Sequence, residues 1–178
     1  ACDCDGNVAD CAGECGGSAT ADCAGVCGGS AENCPDWADD PGAYEFVATI
    51  SGAVILDEGV QLGEAGDLFA AFDGDGNVRG LSQPSQLLIP DFGPYEGTPV
   101  YEMTMRSNAA GDLLSFKYYD ASEDAILDIA EDYDFVINDI IGNVVNPWEM
   151  TIQYDVDLSI ELIAGWNWIS LNVLPVDP

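Results

Sequence analysis

From about Tyr44 onward, apolar and polar residues alternate with a period of two, as they do in β-strands that have one buried face. The stretches YEFVATI, VYEMTMR and LLSFKYYD each place alternate apolar side chains on one face, and turn-forming sequences such as DGDGN and GPYEGTP separate the runs. Many short strands at this spacing predict an all-β domain over residues 41–150. The expected architecture is an antiparallel β-sandwich of the immunoglobulin-like or jelly-roll-like type.

Two segments depart from this simple alternation. In ASEDAILDIAEDY the apolar residues have rough helical spacing, so this stretch is interpreted as a strand and loop or as a short helix. Residues 151–178 end in IAGWNWISLNVLPVDP, which is apolar on both faces and must be covered on both. This segment either completes the sandwich or docks onto a neighbouring module. The candidate docking strand contains Trp166, Trp168, Ile169, Leu171 and Val173.

Residues 1–40 have a different pattern, in which cysteine, glycine and other small residues predominate. The phrase DCAGxCGGSA occurs twice with a period of 12, so Cys11 and Cys15 recur as Cys23 and Cys27. Because this segment is too poor in large apolar residues to form a core, we expect disulfides to hold it together in an oxidising compartment. The candidate disulfide residues are Cys2, Cys4, Cys11, Cys15, Cys23, Cys27 and Cys34. Seven is an odd number, so at least one cysteine is free or paired outside the chain.

The charge balance is extreme, because 33 acidic residues stand against three basic ones and there is no histidine. A formal net charge of -30 excludes nucleic-acid binding and attachment to anionic membranes, since too few cations are present to neutralise phosphates. No apolar run reaches the length of about 18 residues that indicates a membrane-spanning helix, so no membrane insertion is expected. The self-repulsion of the acidic groups must be screened by a salty medium or by bound divalent cations.

Two short loops contain alternating oxygen ligands of the kind that Ca²⁺ prefers. In DCDGNVAD the candidate ligands are Asp3, Asp5, Asn7 and Asp10. In FDGDGNVRG they are Asp73, Asp75 and Asn77, although Asp-Gly is also the commonest signal for a simple hairpin turn. Ca²⁺ is therefore the predicted structural cofactor, and general acidity suited to a salty medium is the alternative. Zinc is disfavoured by the C-x₃-C spacing and the lack of histidine.

The sequence lacks the residue combinations that the common catalytic mechanisms require. Without histidine there is no Ser-His or Cys-His pair, and every cysteine lies in the repeat segment. No phosphate-binding loop with a lysine is present. Pairs of carboxylates are unavoidable among 33 acidic residues, so they carry no specific signal for glycoside hydrolysis. The chain is therefore predicted not to be an enzyme.

The DCAGxCGGSA repeats resemble Cys/Gly repeats that lie between domains in large secreted cell-surface proteins of marine bacteria of the Bacteroidetes type. The phrases GDLFAAFDGDGNVRG, LSFKYYDASEDAILDI and FVINDIIGNVVNP resemble a β-sandwich module of such proteins. The closing GWNWISLNVLP is similar to a phrase that opens the next module in those tandem arrays. The resemblance implies secretion, often through a type IX system, and an adhesive or structural role at the cell surface.

These observations predict a structural subunit or repeat module of an extracellular filament or giant adhesin. Its expected partners are copies of itself or neighbouring modules of the same chain, joined head to tail by addition of the C-terminal strand to a sheet. Disulfides and Ca²⁺ would stiffen the assembly. The alternative is a calcium-dependent carbohydrate-binding module that recognises surface glycans. Its candidate stacking residues are Trp37, Tyr118, Tyr119 and Trp148.

Overall fold

The computed structural model of the chain describes residues 2, 8–23, 27–64, 66–82 and 87–154. Strands dominate from residue 46 onward, and the one helical segment among the described residues is a 3₁₀ turn at Pro41–Ala43. The all-β prediction is confirmed. The strands are β1 (Phe46–Asp57), β2 (Val60–Leu62), β3 (Leu68–Phe72), β4 (Val78–Ser82), β5 (Leu87–Leu88), β6 (Val100–Ser107), β7 (Leu113–Asp120), β8 (Ala125–Ile129), β9 (Tyr133–Asp134), β10 (Ile140–Ile141) and β11 (Trp148–Gln153).

The strands form one curled sheet in the order β4-β3-β7-β8-β11-β1-β6-β5, with β2 and β10 attached to β1 and β9 attached to β7. Most neighbouring strands are antiparallel, as predicted. The sheet is mixed only around β1, which pairs in parallel with β10 and with β11. Strands that pair in parallel need a long crossover connection. Here the connection between β1 and β11 contains all of the other strands, β2 to β10.

The curl brings the two halves of the sheet face to face around one core. Phe69 of β3 lies edge to face against Tyr101 of β6, with ring centroids 5.8 Å apart, and Tyr101 contacts Tyr118 of β7 at 6.0 Å. Such aromatic pairs add to the stabilisation that comes from their large buried areas. The faces predicted for β6 and β7 are confirmed. Their buried side chains include Tyr101, Met103, Met105, Leu114, Phe116 and Tyr118.

The sheet almost closes on itself where β4 lies beside β6. The guanidinium of Arg79 in β4 donates a hydrogen bond to the carbonyl oxygen of Arg106 in β6, at 3.2 Å. The backbone of Gly80 lies directly against β6. A Cβ atom added at this position would lie 2.8 Å from the carbonyl oxygen of Thr104, which is too close for a side chain. Glycine therefore allows the two backbones to approach, which is a common reason for glycine within a strand.

The ambiguous stretch ASEDAILDIAEDY forms a strand and loop. Residues 121–124 make a turn, and β8 then pairs antiparallel with β7. Asp124 ends the turn in a left-handed conformation with φ of 50°, which aspartate tolerates better than most residues.

The N-terminal repeats contain three disulfides among the described residues, Cys2–Cys15, Cys11–Cys27 and Cys23–Cys34. Several predicted positions lie outside the described residues. These are Asp3, Asp5 and Asn7 of the first calcium loop, Cys4, and the docking strand with Trp166, Trp168, Ile169, Leu171 and Val173. In the described part of the chain, no helix has the length and apolar character needed to cross a bilayer.

Candidate functional site

The described parts of the two Cys/Gly repeats share local contacts. Ala9 and Cys15 form an isolated antiparallel bridge in the first repeat, and Ala21 and Cys27 form the equivalent bridge 12 residues later. The backbone hydrogen bond from Gly16 to Val8 likewise recurs from Gly28 to Thr20. The sequence period is therefore a structural period, and each repeat is one small loop.

Asp10 holds the first repeat loop together. Its Oδ1 accepts hydrogen bonds from the amides of Ala12 and Glu14 at 3.0 and 2.9 Å, and its Oδ2 accepts one from Ala19 at 3.0 Å. These bonds, that of Glu14 foremost, lower the pKa of Asp10. Asp22 occupies the equivalent position and accepts a bond from Ala31 at 3.2 Å. Asp10 was predicted as a calcium ligand, and this bracing role was missed although the period of 12 signalled it.

The disulfides connect each repeat to its neighbour. Cys11, the first cysteine of one repeat, pairs with Cys27, the second cysteine of the next. Cys2–Cys15 overlaps this loop on one side and Cys23–Cys34 overlaps it on the other. The three bonds therefore form an interlocked series instead of separate small rings. Spacing alone left this connectivity open.

The last repeat is fastened to the β domain by residues 31–40, which we call the strap. The carboxylate of Asp124, in the β7–β8 turn, accepts hydrogen bonds from the amides of Glu32 and Asn33 at 2.8 and 3.1 Å. The side-chain amide of Asn33 also donates to this carboxylate, at 3.1 Å. The hydrogen bond from the amide of Glu32, followed by those from the other donors, lowers the pKa of Asp124, so its carboxylate is charged. We call this set of hydrogen bonds between the strap and Asp124 the Asp124 latch.

Two further contacts fix the rest of the strap. The ring of Trp37 packs edge to face on Phe72 of β3, with centroids 5.2 Å apart. Asp39 forms an ion pair with Arg106 of β6, and both side chains are mostly buried. The strap is therefore packed against the sheet at both of its ends and does not act as a loose linker.

Asp73 organises the predicted calcium loop of residues 73–77. Its Oδ1 accepts hydrogen bonds from the amides of Asp75 and Asn77, and its Oδ2 lies 2.9 Å from Nε of Arg79. Burial opposes ionisation of this carboxyl group, but the bonds from Asn77 and Arg79 outweigh it and lower the pKa of Asp73 to about 2. The side chains of Asp75 and Asn77 are exposed. Ca²⁺ at Asp73, Asp75 and Asn77 stays a prediction, and an ion there would share Asp73 with Arg79.

One cluster has the composition of a metal site, namely Cys23, Cys34 and Asp124. Its two sulfur atoms are bonded to each other in a disulfide, so neither is available as a thiolate ligand. The oxygens of Asp124 already accept the strap amides and the hydroxyl of Tyr119. In this oxidised form the cluster is a structural junction between the last repeat and β7.

Of the four predicted stacking residues, Trp37 lines a surface depression, whereas the other three pack inside the protein. Tyr118 is buried in the core, where its hydroxyl donates to Asp67 at 2.5 Å. Tyr119 points to the opposite face of β7 but is covered by the strap end, and its hydroxyl contacts Sγ of Cys34 at 3.1 Å. Trp148 packs against Phe116 at the core. The buried tyrosines cannot stack on a ligand.

No protein-family model, curated protein or solved structure matches this chain. The resemblance of its repeats and sandwich phrases to secreted surface proteins therefore stays a prediction. Its function has to be inferred from its own residues and their geometry.

Proposed function

We propose that this chain is a structural module of an extracellular bacterial filament or giant adhesin. The observation that supports this best is an unbroken series of cross-links from Cys2 to the β domain. Overlapping disulfides join each repeat to the next, and the strap bonds to Asp124 and packs on Phe72. Such a path can transmit force without a hydrophobic core of its own.

The repeats act as a stiff spacer in this proposal. The disulfides span sequence separations of 13, 16 and 11 residues. Closing loops of this length removes about 3 kcal/mol of conformational freedom from the unfolded chain for each bond, in the chain-entropy account. The bracing carboxylates Asp10 and Asp22 fix the loop backbone between the bonds. A segment built in this way resists both stretching and proteolysis.

The disulfides indicate a non-reducing compartment, since thiols in the cytosol are kept reduced. Within that setting we place the protein outside the cell or on its surface, as the resemblance of the DCAGxCGGSA repeats implies. This location also suits a net charge of -30, because external salt or divalent cations screen the repulsion.

Assembly is proposed to run head to tail between copies of the chain or neighbouring modules, through the two-sided apolar segment that contains Trp166 and Trp168. Ca²⁺ is proposed to stiffen the N-terminal loop with Asp3, Asp5, Asn7 and Asp10, and the loop with Asp73, Asp75 and Asn77. No catalytic role is assigned to any residue.

Negative-stain electron microscopy of the native material tests this proposal. We expect ordered filaments that loosen when a calcium chelator is added, because the loops then lose their counterions. The matched control is the same chelator already saturated with calcium, which should leave the filaments intact. Dispersed single particles in every condition would contradict a structural polymer. Filaments that are unchanged by the chelator would contradict the role of calcium but not the structural role of the chain.

A further inference from the structure

Two surface depressions join where the strap meets the β domain. One has a volume of about 480 Å³ and is lined by residues that include Asp75, Arg79, Asp112 and Leu113. The other, of about 450 Å³, is lined by residues that include Trp37, Lys117 and Ile126. Asp73, Gly74 and Ser115 line both, so the two depressions adjoin each other, and we call the pair the groove. We propose that the groove binds one chain of a neutral polysaccharide.

The groove offers an apolar surface for sugar rings. The indole of Trp37 is partly exposed and is held in place by its edge-to-face contact with Phe72. Ile126 and Leu113 extend this surface along β8 and β7, with 46% and 57% of each residue exposed. The C–H face of a pyranose ring is apolar and weakly positive, so it packs well on the negative face of an aromatic ring.

Polar groups beside this surface are free to bind sugar hydroxyls. Ser115 projects from the outer face of β7, between the buried Leu114 and Phe116. The Ser115 hydroxyl has no hydrogen-bond partner among the described residues. Asp112 accepts bonds from Arg79 and Ser107 at Oδ2, which leaves Oδ1 open. A few such groups on an apolar wall are the usual composition of a ligand site.

The charges favour a neutral ligand over an anionic one. The cations at the groove are already paired, Arg79 with Asp73 and Asp112, and Lys117 with Asp128. No unpaired cation of the described chain is left to bind sulfate or uronate groups, and the net charge of -30 repels polyanions. A polycation would be attracted to the acidic surface as a whole, so its binding would not depend on Trp37. The groove is open to solvent, so a long polymer can lie in it without being enclosed.

The groove is built from two parts of the molecule. Trp37 belongs to the strap, whereas Ser115 and Ile126 belong to the β domain. The aromatic wall is therefore in place only while the Asp124 latch and the Asp39–Arg106 ion pair hold the strap down. Glycan binding of this kind needs no calcium and no filament, so it stands or falls separately from the structural role proposed above.

Affinity electrophoresis of the full oxidised chain tests the proposal. The probes are four soluble neutral polysaccharides (hydroxyethylcellulose, laminarin, xyloglucan and galactomannan), with alginate as the polyanion and chitosan as the polycation. We expect at least one neutral polymer to retard the protein. Retardation should be unchanged between about 0.1 and 1 M NaCl, where the Debye length falls from about 10 to about 3 Å. Trp37→Ala should weaken binding at least tenfold, as truncation of a central aromatic commonly does.

Two further variants test whether binding depends on the groove itself. Phe92→Ala is the matched control, because Phe92 is an aromatic residue that is 56% exposed on the loop between β5 and β6 and does not line the groove. It should bind like the unchanged protein. Ser115→Tyr fills the junction of the two depressions from an exposed strand position, so it should abolish binding even if Trp37→Ala loosens the strap.

Three results would overturn the proposal. The first is a lack of retardation by all four neutral polymers. The second is retardation by chitosan or alginate alone that disappears at high salt, which would show a purely electrostatic contact. The third is neutral-polymer binding that survives both Trp37→Ala and Ser115→Tyr, since the binding surface would then lie elsewhere.

Discussion

At the scale of single residues, aspartates organise the loops of this chain. Backbone amides donate hydrogen bonds to both carboxylate oxygens of Asp10 and Asp124 and to one carboxylate oxygen of Asp73. Short acidic side chains bond readily to nearby backbone amides, and a charged acceptor makes these bonds stronger than neutral ones. Part of the acidity therefore serves structure, although these carboxylates stay charged and still add to the net charge of -30.

Asp73→Asn should lower the free energy of unfolding by about 1 to 2 kcal/mol at neutral pH, because it weakens the charge-assisted bond to Arg79. The folded-state pKa of Asp73, about 2, lies below the ordinary value of 3.8. Its stabilisation is therefore fully present above about pH 4 and is lost as pH falls towards 2. Urea unfolding at a series of pH values measures this difference.

The control for this prediction is Asp75→Asn, which changes a neighbouring exposed carboxylate that forms no ion pair among the described residues. Because Asp75 is also a proposed calcium ligand, both variants are measured with a calcium chelator present. Asp75→Asn should leave the free energy of unfolding nearly unchanged across the same pH range. Equal pH profiles for the two variants would show that the ion pair with Arg79 contributes nothing specific.

Residue roles were less predictable than residue faces. The alternation in LLSFKYYD predicts the face of Leu114, Phe116 and Tyr118 to be buried, and it is, which excludes Tyr118 as a stacking residue. The alternation gave no reason to expect Tyr119 to be buried as well. Tyr119 is covered because the strap, far away in sequence, brings Cys34 onto the outer face of β7. Alternation reports one strand at a time, so it cannot show what a distant segment covers.

At the scale of elements, β1 is the centre of the sheet. Its first half pairs with β6 and β10, and its second half pairs with β11 and β2. The register with β6 shifts between Ile50 and Ala53, at the point where the partners change. Local periodicity predicted the first part of this strand in YEFVATI, but not its continuation to Asp57, where Ala53, Val54 and Ile55 are all buried and the alternation is lost. The parallel partners were not predictable, because they come from the far end of the domain and depend on how the sheet curls.

The contact between β4 and β6 gives a prediction for Gly80. Gly80→Ala should lower the free energy of unfolding by about 1 to 3 kcal/mol, because the added Cβ would meet the carbonyl oxygen of Thr104 at 2.8 Å. Gly74→Ala is the matched control, since a Cβ at that position meets no atom within 4 Å. Thermal unfolding followed by circular dichroism compares the two. Similar melting temperatures for both variants would mean that β4 and β6 can separate at little cost.

At the scale of the whole molecule, two different kinds of structure are joined. The repeats depend on disulfides and carboxylate braces, whereas residues 46–154 have a packed aromatic core. The sequence predicted this division from composition alone, because cysteine and large apolar residues occupy separate stretches. It did not predict the strap, whose anchors Asp124 and Arg106 lie about 70 to 90 residues away along the chain.

Removing single disulfides should show how far the two parts depend on each other. In Cys23→Ser/Cys34→Ser the last repeat loses its own cross-link, and the local cost is about 3 kcal/mol for a loop of this length. Hydrogen exchange should then become faster at the amides of Glu32 and Asn33, while the amides of β7 stay protected by the core. The matched variant Cys11→Ser/Cys27→Ser should loosen the earlier repeat and leave the strap amides unchanged. Faster exchange throughout β7 in the first variant would contradict this division and show that repeats and sheet unfold as one unit.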